Sequence, residues 1–220
     1  MLSPPALRPA IFLDRDGVIV ENRSDYIKSV DEVHILPGAL AALAQAARLE
    51  CLIVVVTNQS VVGRGLLSER GLAVINEHVH QAVVAAGGRI EGWYVCPHLP
   101  EDDCACRKPK PGMLLSAAED LHIDLSASVM IGDAVSDVQA GHAAGAQAIL
   151  VRTGRGVGQT AELGRAGLVH VPVVADLGAA LQRAAALVLL TKAPPDGGAG
   201  IRVNSGILPH NPSADSEQAP

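Results

Sequence analysis

Two aspartates directly follow an uninterrupted apolar run in the segment Pro9-Ala-Ile-Phe-Leu-Asp14-Arg-Asp16-Gly17-Val-Ile-Val20. A short apolar run that ends in polar residues and glycine is typical of a buried strand in a parallel sheet. Because ligands bind outside the carboxyl ends of such strands, we expect Asp14 and Asp16 at a ligand-binding edge. Adjacent carboxylates repel each other, and a divalent cation such as Mg²⁺ would offset that repulsion. Taken alone, the segment is also compatible with a strand that ends in a simple Asp-Gly turn.

The composition indicates one domain with an aliphatic core. The chain has 220 residues, of which 49% are hydrophobic and only 2% are aromatic. A core of Ala, Val, Leu and Ile suits a parallel sheet. The formal net charge of −6 disfavours nucleic acid as a partner. The sequence contains no apolar run of membrane-spanning length and no signal-peptide pattern, so we expect no membrane partner and a cytoplasmic location.

Strand-like and helix-like segments alternate along the chain. After the first strand, further strands are predicted at 51–56, 90–95, 128–133 and 147–151. Helices are predicted at 39–49, from Ser68 to about 86, at 113–121, from about 137 to 145, and at 175–190. This alternation is typical of an α/β fold built on a parallel sheet.

Three segments are predicted to lie outside these regular elements. Residues 18–37 are polar with short apolar pieces and are expected to pass over the ligand-binding edge, where a small hairpin would suit them. Residues 154–158 are predicted to form a loop, because Gln159 stands where a dinucleotide fingerprint needs glycine. The Pro/Gly/Ser-rich residues 191–220 are expected to be disordered, which leaves a single domain over residues 1–190.

Polar residues also end two other predicted strands. Thr57-Asn58-Gln59-Ser60 follows the second strand, where a hydroxyl and amides could bind a phosphate group or simply cap a helix. Asp133 ends a later strand, and Asp137 follows one turn further on. Since the carboxyl ends of parallel strands meet at one edge, the combination is more specific than any of its parts.

Three of the four cysteines cluster with a histidine in Cys96-Pro-His98 and Cys104-Ala-Cys106. Three thiolates and one imidazole form the donor set of a closed, tetrahedral structural Zn²⁺ site. The alternative is a group of reduced, unconnected cysteines. The basic segment Arg107-Lys-Pro-Lys-Pro-Gly112 follows directly, and its two prolines stiffen the backbone that carries the cations.

Taken in order, these motifs resemble those of the haloacid dehalogenase superfamily. The resemblance rests on Asp14-x-Asp16-Gly17, Thr57, Lys108 and Gly132-Asp133-x-x-x-Asp137. Together with Thr57-Asn-Gln-Ser60 and the cysteine segment, they resemble the D-glycero-D-manno-heptose 1,7-bisphosphate 7-phosphatase family, to which the histidinol-phosphate phosphatases are related. The match covers residues 8–153. It departs from the family at Val18, where threonine is common, and at Val61-Val62-Gly63.

This resemblance implies a Rossmann-like parallel sheet with helices on both faces and no large cap domain. It implies Asp14 as the nucleophile that forms an aspartyl-phosphate and Asp16 as the acid and base. Mg²⁺ would be held by Asp14, Asp133 and the backbone carbonyl of Asp16, while Asp137 would orient its neighbours. The implied substrate-binding residues are Thr57, Asn58, Gln59, Arg64, Arg107 and Lys108.

The resemblance implies a phosphorylated small molecule as the partner. Separately, we expect the protein to be a monomer. Three other functions compete with a heptose bisphosphatase. Histidinol phosphate as the substrate is the main alternative. A dehalogenase would not need Asp16, because a halide leaves without a proton. A non-catalytic, zinc-stabilised binding protein would have no use for a complete catalytic set.

Overall fold

A six-stranded, entirely parallel sheet forms the centre of the computed structural model, which describes residues 6–192. The strands are β1 (Ala10–Leu13), β2 (Leu52–Asn58), β3 (Gly92–Cys96), β4 (Val129–Gly132), β5 (Gln147–Val151) and β6 (Val173–Val174). Their spatial order is β3-β2-β1-β4-β5-β6. This is the order of a Rossmann-like sheet, as predicted.

Helices cover both faces of the sheet. They are α1 (Ala39–Ala46), α2 (Ser60–Gly63), α3 (Glu69–Ala85), α4 (Gly112–Leu121), α5 (Val135–Ala143), α6 (Gly156–Arg165) and α7 (Leu177–Lys192). Buried residues of α1, α3 and α7 share one hydrophobic cluster with the sheet. Buried residues of α4, α5 and α6 contribute to the clusters on the opposite face.

The central strand β1 is apolar throughout because both of its faces are covered. Ile11 and Leu13 belong to the cluster with α1, α3 and α7, whereas Phe12 packs into the cluster with α4. Successive side chains of a strand point to opposite faces, so an unbroken apolar run is what this position requires. Phe12 pairs in register with Val54 of β2 and Met130 of β4.

The strand order reverses between β1 and β4, and this reversal positions the site. From β1 the chain proceeds outward to β2 and β3, then returns to β4 on the other side of β1. Connections therefore leave the carboxyl ends of β1 and β4 in opposite directions, and a crevice opens between them. Asp14 and Asp133 are the residues that directly follow these two strands.

Several elements differ in detail from the sequence-based predictions. The segment 154–158 was predicted to be a loop, and this was wrong because α6 begins at Gly156. A Cβ at Gly156 would overlap Val151 O, so glycine lets this helix start directly against β5. The segment 18–37 contains a 3-10 helix at Val30–Glu32 and an isolated antiparallel bridge between Val20 and Ile35. Ser68 caps α3 as predicted, by accepting a hydrogen bond from Gly71 N.

The last helix, α7, continues through Lys192 and so includes the first two residues of the predicted tail. The rest of that predicted tail, residues 193–220, lies outside the described residues. Within residues 6–192, no helix is long and apolar enough to cross a membrane.

Candidate active site

Three buried carboxylates lie side by side at the carboxyl ends of β1 and β4. Asp14 and Asp133 follow these strands directly, and Asp137 lies in the first turn of α5. Asp137 Oδ2 accepts a hydrogen bond from Ala134 N at 3.0 Å. One carboxylate oxygen from each of the three aspartates lies within 4.8 Å of the other two. The three side chains are therefore close enough to share one cation.

The raised pKa of Asp14 indicates that this cluster suits a cation. Burial is the main reason that the pKa of Asp14 rises from 3.8 to about 7. Lys108 opposes this rise, and the neighbouring carboxylates of Asp137, Asp133 and Asp16 contribute to it. A hard divalent ion among these oxygens would favour the ionised form of Asp14, so the donor set fits Mg²⁺.

Lys108 carries a buried positive charge into the same cluster. Its Nζ lies 3.1 Å from Asp14 Oδ1 and 2.7 Å from Asp137 Oδ1, and it donates to Val56 O at 2.8 Å. Burial alone would lower the pKa of Lys108, but the carboxylates of Asp137 and Asp14 outweigh burial and raise it. The ammonium is therefore charged and fixed where phosphoryl oxygens could meet it.

Asn58 holds the backbone of Lys108 in place. Asn58 Nδ2 donates to Lys108 O at 3.1 Å, and Asn58 Oδ1 accepts from Lys108 N at 3.1 Å. The sequence predicted Asn58 among the residues that bind the phosphoryl group. Both ends of its amide contact Lys108, so Asn58 helps to position the ammonium, and its predicted role in substrate binding stays a prediction.

The Asp16 carboxylate has its own set of donors. Arg15 Nε donates to Asp16 Oδ1 at 2.9 Å and Arg15 Nη2 donates to Asp16 Oδ2 at 3.0 Å. Gln59 Nε2 donates to the same Oδ2 at 2.8 Å and to Thr57 Oγ1 at 3.0 Å. The Arg15 side chain is completely buried, and its Nη1 donates to Asn76 Oδ1 at 2.8 Å. A rigid guanidinium thus fixes the orientation of Asp16.

Gly17 lets the turn that follows β1 come close to the carboxylate of Asp133. Its φ is +83°, and a Cβ at this position would overlap Asp133 Oδ2. Thr153 Oγ1 donates to Gly17 O at 2.6 Å and ties this turn to the end of β5. The glycine of Asp-x-Asp-Gly is therefore needed for both its backbone conformation and its lack of a side chain.

A cavity of about 500 Å³ opens beside these residues. Seven residues predicted from the sequence line it, namely Asp14, Asp16, Thr57, Asn58, Gln59, Arg107 and Lys108. Arg64, also predicted to bind substrate, does not line the cavity. Its Nε donates instead to Tyr26 Oη at 2.9 Å, and Tyr26 lies in the cavity wall. The other two predicted magnesium ligands are Asp133 and the backbone carbonyl of Asp16. They lie at the carboxyl ends of β4 and β1, respectively.

Sequence reasoning missed several residues of this site. Four of them line the cavity, namely Asn22, Arg23, Tyr26 and Arg155. A fifth, Arg15, does not line it but holds the carboxylate of Asp16. One signal for Arg155 was available, because it follows the predicted strand 147–151 at the same edge of the sheet. The first three lie in the segment 18–37, whose irregular backbone carries no periodic pattern from which their direction could be inferred.

Cys96, His98, Cys104 and Cys106 come together as predicted from their spacing. The sulfur of Cys104 lies 3.6 Å from that of Cys96 and 3.4 Å from that of Cys106. His98 Nδ1 lies 3.2 Å from the Cys106 sulfur and 3.6 Å from the Cys96 sulfur. These separations exceed a disulfide bond and approach the distance of about 3.8 Å between two sulfurs on one tetrahedral Zn²⁺.

The raised pKa of the Cys96 thiol is a second indication that this cluster suits a cation. Burial is the first cause that raises the pKa of Cys96 to about 12. A buried thiol of this kind stays neutral unless a positive charge stabilises the thiolate. Zn²⁺ binding would supply that charge and release protons from the thiols.

The comparisons with known proteins agree with this arrangement. A family model described as HAD-hydrolase-like matches residues 105–180. The heptose-1,7-bisphosphate 7-phosphatase of Bordetella bronchiseptica is 41% identical over 146 residues, which span 66% of this chain and 82% of the relative. The enzyme of the same name from Escherichia coli K12 is 40% identical over 162 residues, or 70% of this chain and 84% of the relative. This chain belongs to the D-glycero-β-D-manno-heptose-1,7-bisphosphate 7-phosphatase family.

Solved structures of the family have the same fold. The Bordetella bronchiseptica phosphatase, crystallised with magnesium and phosphate, has a TM-score of 0.75 and 38% identity and covers 84% of this chain and 99% of its own. The Burkholderia thailandensis phosphatase has a TM-score of 0.60 and 33% identity and covers 80% of this chain and 97% of its own. The family resemblance and the Rossmann-like fold predicted from the sequence are thus confirmed.

Replacing Arg15 with Met should destabilise the protein by about 3 kcal/mol, because it removes one partner of a largely buried ion pair. Arg15→Lys should also destabilise, since a lysine cannot form the two parallel bonds to Asp16. Urea unfolding of both variants measures the effect. Arg70→Met, on the exposed surface of α3, is the control and should change stability by less than about 0.5 kcal/mol. An Arg15→Met protein as stable as the control would contradict this interpretation.

Proposed function

We propose that this protein is a Mg²⁺-dependent phosphatase that removes the 7-phosphate of D-glycero-β-D-manno-heptose 1,7-bisphosphate. One observation carries the proposal: Asp14, at the end of the central strand, contacts the buried ammonium of Lys108 and faces a polar cavity that also holds Asp16. The substrate follows from the names of the relatives reported above. The residues of the site can provide the chemical group that each step of the reaction requires.

Asp14 is the proposed nucleophile. One of its carboxylate oxygens attacks phosphorus, and the bond from phosphorus to the sugar oxygen breaks as the aspartyl-phosphate forms. Lys108 already contacts Asp14, so its ammonium can neutralise the phosphoryl oxygens as they approach. The buried hydroxyl of Thr57 is a further candidate donor in the cavity wall.

Asp16 is the proposed acid and base. It gives its proton to the departing sugar oxygen and then takes a proton from the water that attacks phosphorus in the second step. Hydrolysis releases inorganic phosphate and restores the Asp14 carboxylate. Arg15 and Gln59 support this role because they hold the Asp16 carboxylate at the cavity.

Asp14 and Asp133, with the backbone carbonyl of Asp16, are the proposed holders of Mg²⁺. When bound, the ion supplies positive charge that keeps the nucleophile ionised and offsets its repulsion of the phosphate. Asp137 is proposed to orient Lys108 and the start of α5, because its two oxygens contact Lys108 Nζ and Ala134 N.

The second phosphate of a bisphosphate is proposed to bind at the rim of the cavity. Arg107 lines the cavity, and its Nη1 donates to His98 O at 3.2 Å, which connects it to the cysteine cluster. Arg23 is the other candidate partner, and it also contacts Asp25 at 3.0 Å. Lys110 belongs to the same basic segment as Arg107, but its Nζ contacts Asp103 Oδ1 at 2.6 Å and it does not line the cavity.

The Cys96, His98, Cys104 and Cys106 cluster is proposed to hold a structural Zn²⁺ ion. The four donors would fill a tetrahedral site and leave no position for substrate. Four further expectations stay predictions. They are a single phosphatase domain over residues 1–190, a monomeric state, a cytoplasmic location and no nucleic-acid or membrane partner.

Asp14→Asn should abolish phosphatase activity without loss of the fold, because an amide cannot attack phosphorus and the replacement relieves carboxylate repulsion. Asp16→Asn should lower kcat by about 10²- to 10⁴-fold, the usual range for loss of a general acid. Steady-state turnover and thermal melting of the pure variants measure both effects, with Asp31→Asn on the exposed surface as control. Substantial turnover by Asp14→Asn would contradict the covalent mechanism.

The purified protein should prefer heptose 1,7-bisphosphate to histidinol phosphate in kcat/KM. Arg107→Ala should lower kcat/KM for the bisphosphate by about 10- to 100-fold, as expected for a hydrogen bond to a charged group, and affect a small monophosphate much less. Lys110→Ala is the matched control from the same segment and should have little effect. A preference for histidinol phosphate would favour the histidine-pathway relatives. An equal penalty on both substrates would refute the proposed role of Arg107.

Elemental analysis of protein purified without added metal should find about one Zn per chain, since four donors form one closed site. Cys106→Ser should lower both the zinc content and the melting temperature. Cys51→Ser, at the buried cysteine outside the cluster, is a control that should retain zinc. Zinc-free protein with unchanged stability would refute this assignment.

A further inference from the structure

The buried carboxylate of Asp133 is bound by an arginine that no role above requires. Arg155 Nη2 donates to Asp133 Oδ1 at 3.0 Å, and Arg155 Nε approaches Asp133 Oδ2 at 3.3 Å. The backbone N of Arg155 also donates to Oδ2, at 2.8 Å. Asn22 Nδ2 is a more distant donor, at 3.4 Å. Both oxygens of a proposed magnesium ligand are thus occupied by donors.

The backbone and side-chain contacts of Arg155 differ in how firmly they are held. The backbone segment is fixed, because Thr153 is tied to Gly17 and a Cβ at Gly154 would overlap both Gly17 Cα and Asp133 Oδ2. The guanidinium, in contrast, belongs to a side chain that is 56% exposed and lines the cavity. It can therefore leave Asp133 without disturbing the fold, whereas the backbone bond persists.

The guanidinium also places a positive charge beside a carboxylate that is proposed to bind a metal ion. Its charge is stabilised by Asp133, and by Asp14 and Asp137 at longer range. These are the same three carboxylates that lie within 4.8 Å of one another. A cation at one of these oxygens and the guanidinium on the same carboxylate would repel each other.

We propose that Arg155 is the counter-ion of Asp133 when no metal ion is bound and that it competes with Mg²⁺ for that carboxylate. The inference rests on the proposed function, because it takes Asp133 as a magnesium ligand. The arginine stabilises the metal-free fold by balancing a buried negative charge. In return it weakens Mg²⁺ binding, since the ion must first displace the guanidinium. The backbone N–H of Arg155 orients Asp133 in both states.

Titration calorimetry with MgCl₂ in the absence of substrate tests this competition in the purified chain of 220 residues. Arg155→Met keeps an unbranched stem like that of arginine and leaves the backbone bond in place, but it removes the guanidinium and its charge. Its dissociation constant for Mg²⁺ should be about three- to tenfold lower than that of the wild type, the range between an exposed ion pair and a charge-assisted hydrogen bond. Its metal-free melting temperature should fall, and Mg²⁺ should raise that temperature by more than in the wild type.

Arg152→Met is the matched control. Arg152 is also exposed and lies three residues earlier, but its backbone N donates to Val174 O at 2.9 Å and it does not line the cavity. This variant should bind Mg²⁺ as the wild type does. Unchanged or weaker Mg²⁺ binding by Arg155→Met alone would overturn the competition. If neither the wild type nor Arg155→Met bound Mg²⁺, the magnesium site of the proposed function would be refuted and the inference with it.

Discussion

The site depends on the ammonium of Lys108 being held between the carboxylates of Asp14 and Asp137. A charged lysine can be buried only if opposite charges and hydrogen bonds replace its water. Two hydrogen bonds from Asn58 fix the Lys108 backbone, and the hydrogen bond to Val56 O fixes its ammonium. Since Asp14 ends the central strand, this interaction connects the core of the sheet to the chemistry at its edge.

One lysine does not neutralise three carboxylates, and the excess negative charge explains the other features of the site. Two features of the structure reduce this excess: the pKa of Asp14 rises to about 7, and Arg155 binds Asp133. A divalent ion would replace both, leaving Asp14 ionised and the guanidinium displaced. A divalent ion at these carboxylates would favour the ionised form of Asp14, which is the form that can attack phosphorus.

The sequence predicts the parts of this site that depend on strand ends and on local spacing. Asp14, Thr57 and Asp133 follow apolar runs, and a parallel sheet necessarily brings such positions to one edge. The cysteine cluster is predictable because its donors lie within eleven residues, Cys96 to Cys106. In contrast, the contact between Arg155 and Asp133 joins side chains 22 residues apart, and the direction of Arg64 depends on Tyr26, 38 residues away. No local pattern encodes such partners, so the sequence alone does not show that Asn58 contacts the Lys108 backbone or that Arg64 contacts Tyr26.

The cysteine cluster and Lys108 lie in one continuous segment, and this proximity constrains both. Between Cys96 and Lys108, the chain has little buried apolar surface, since only these two residues at its ends are buried. Its conformation must therefore rest on polar contacts, on its link through Arg107 to His98 O, and on the proposed zinc ion. If that ion fixes His98, it also fixes Arg107 at the rim and Lys108 in the interior. A metal with no part in the reaction would then control the two charges to which the proposed function assigns roles, Arg107 in specificity and Lys108 in catalysis.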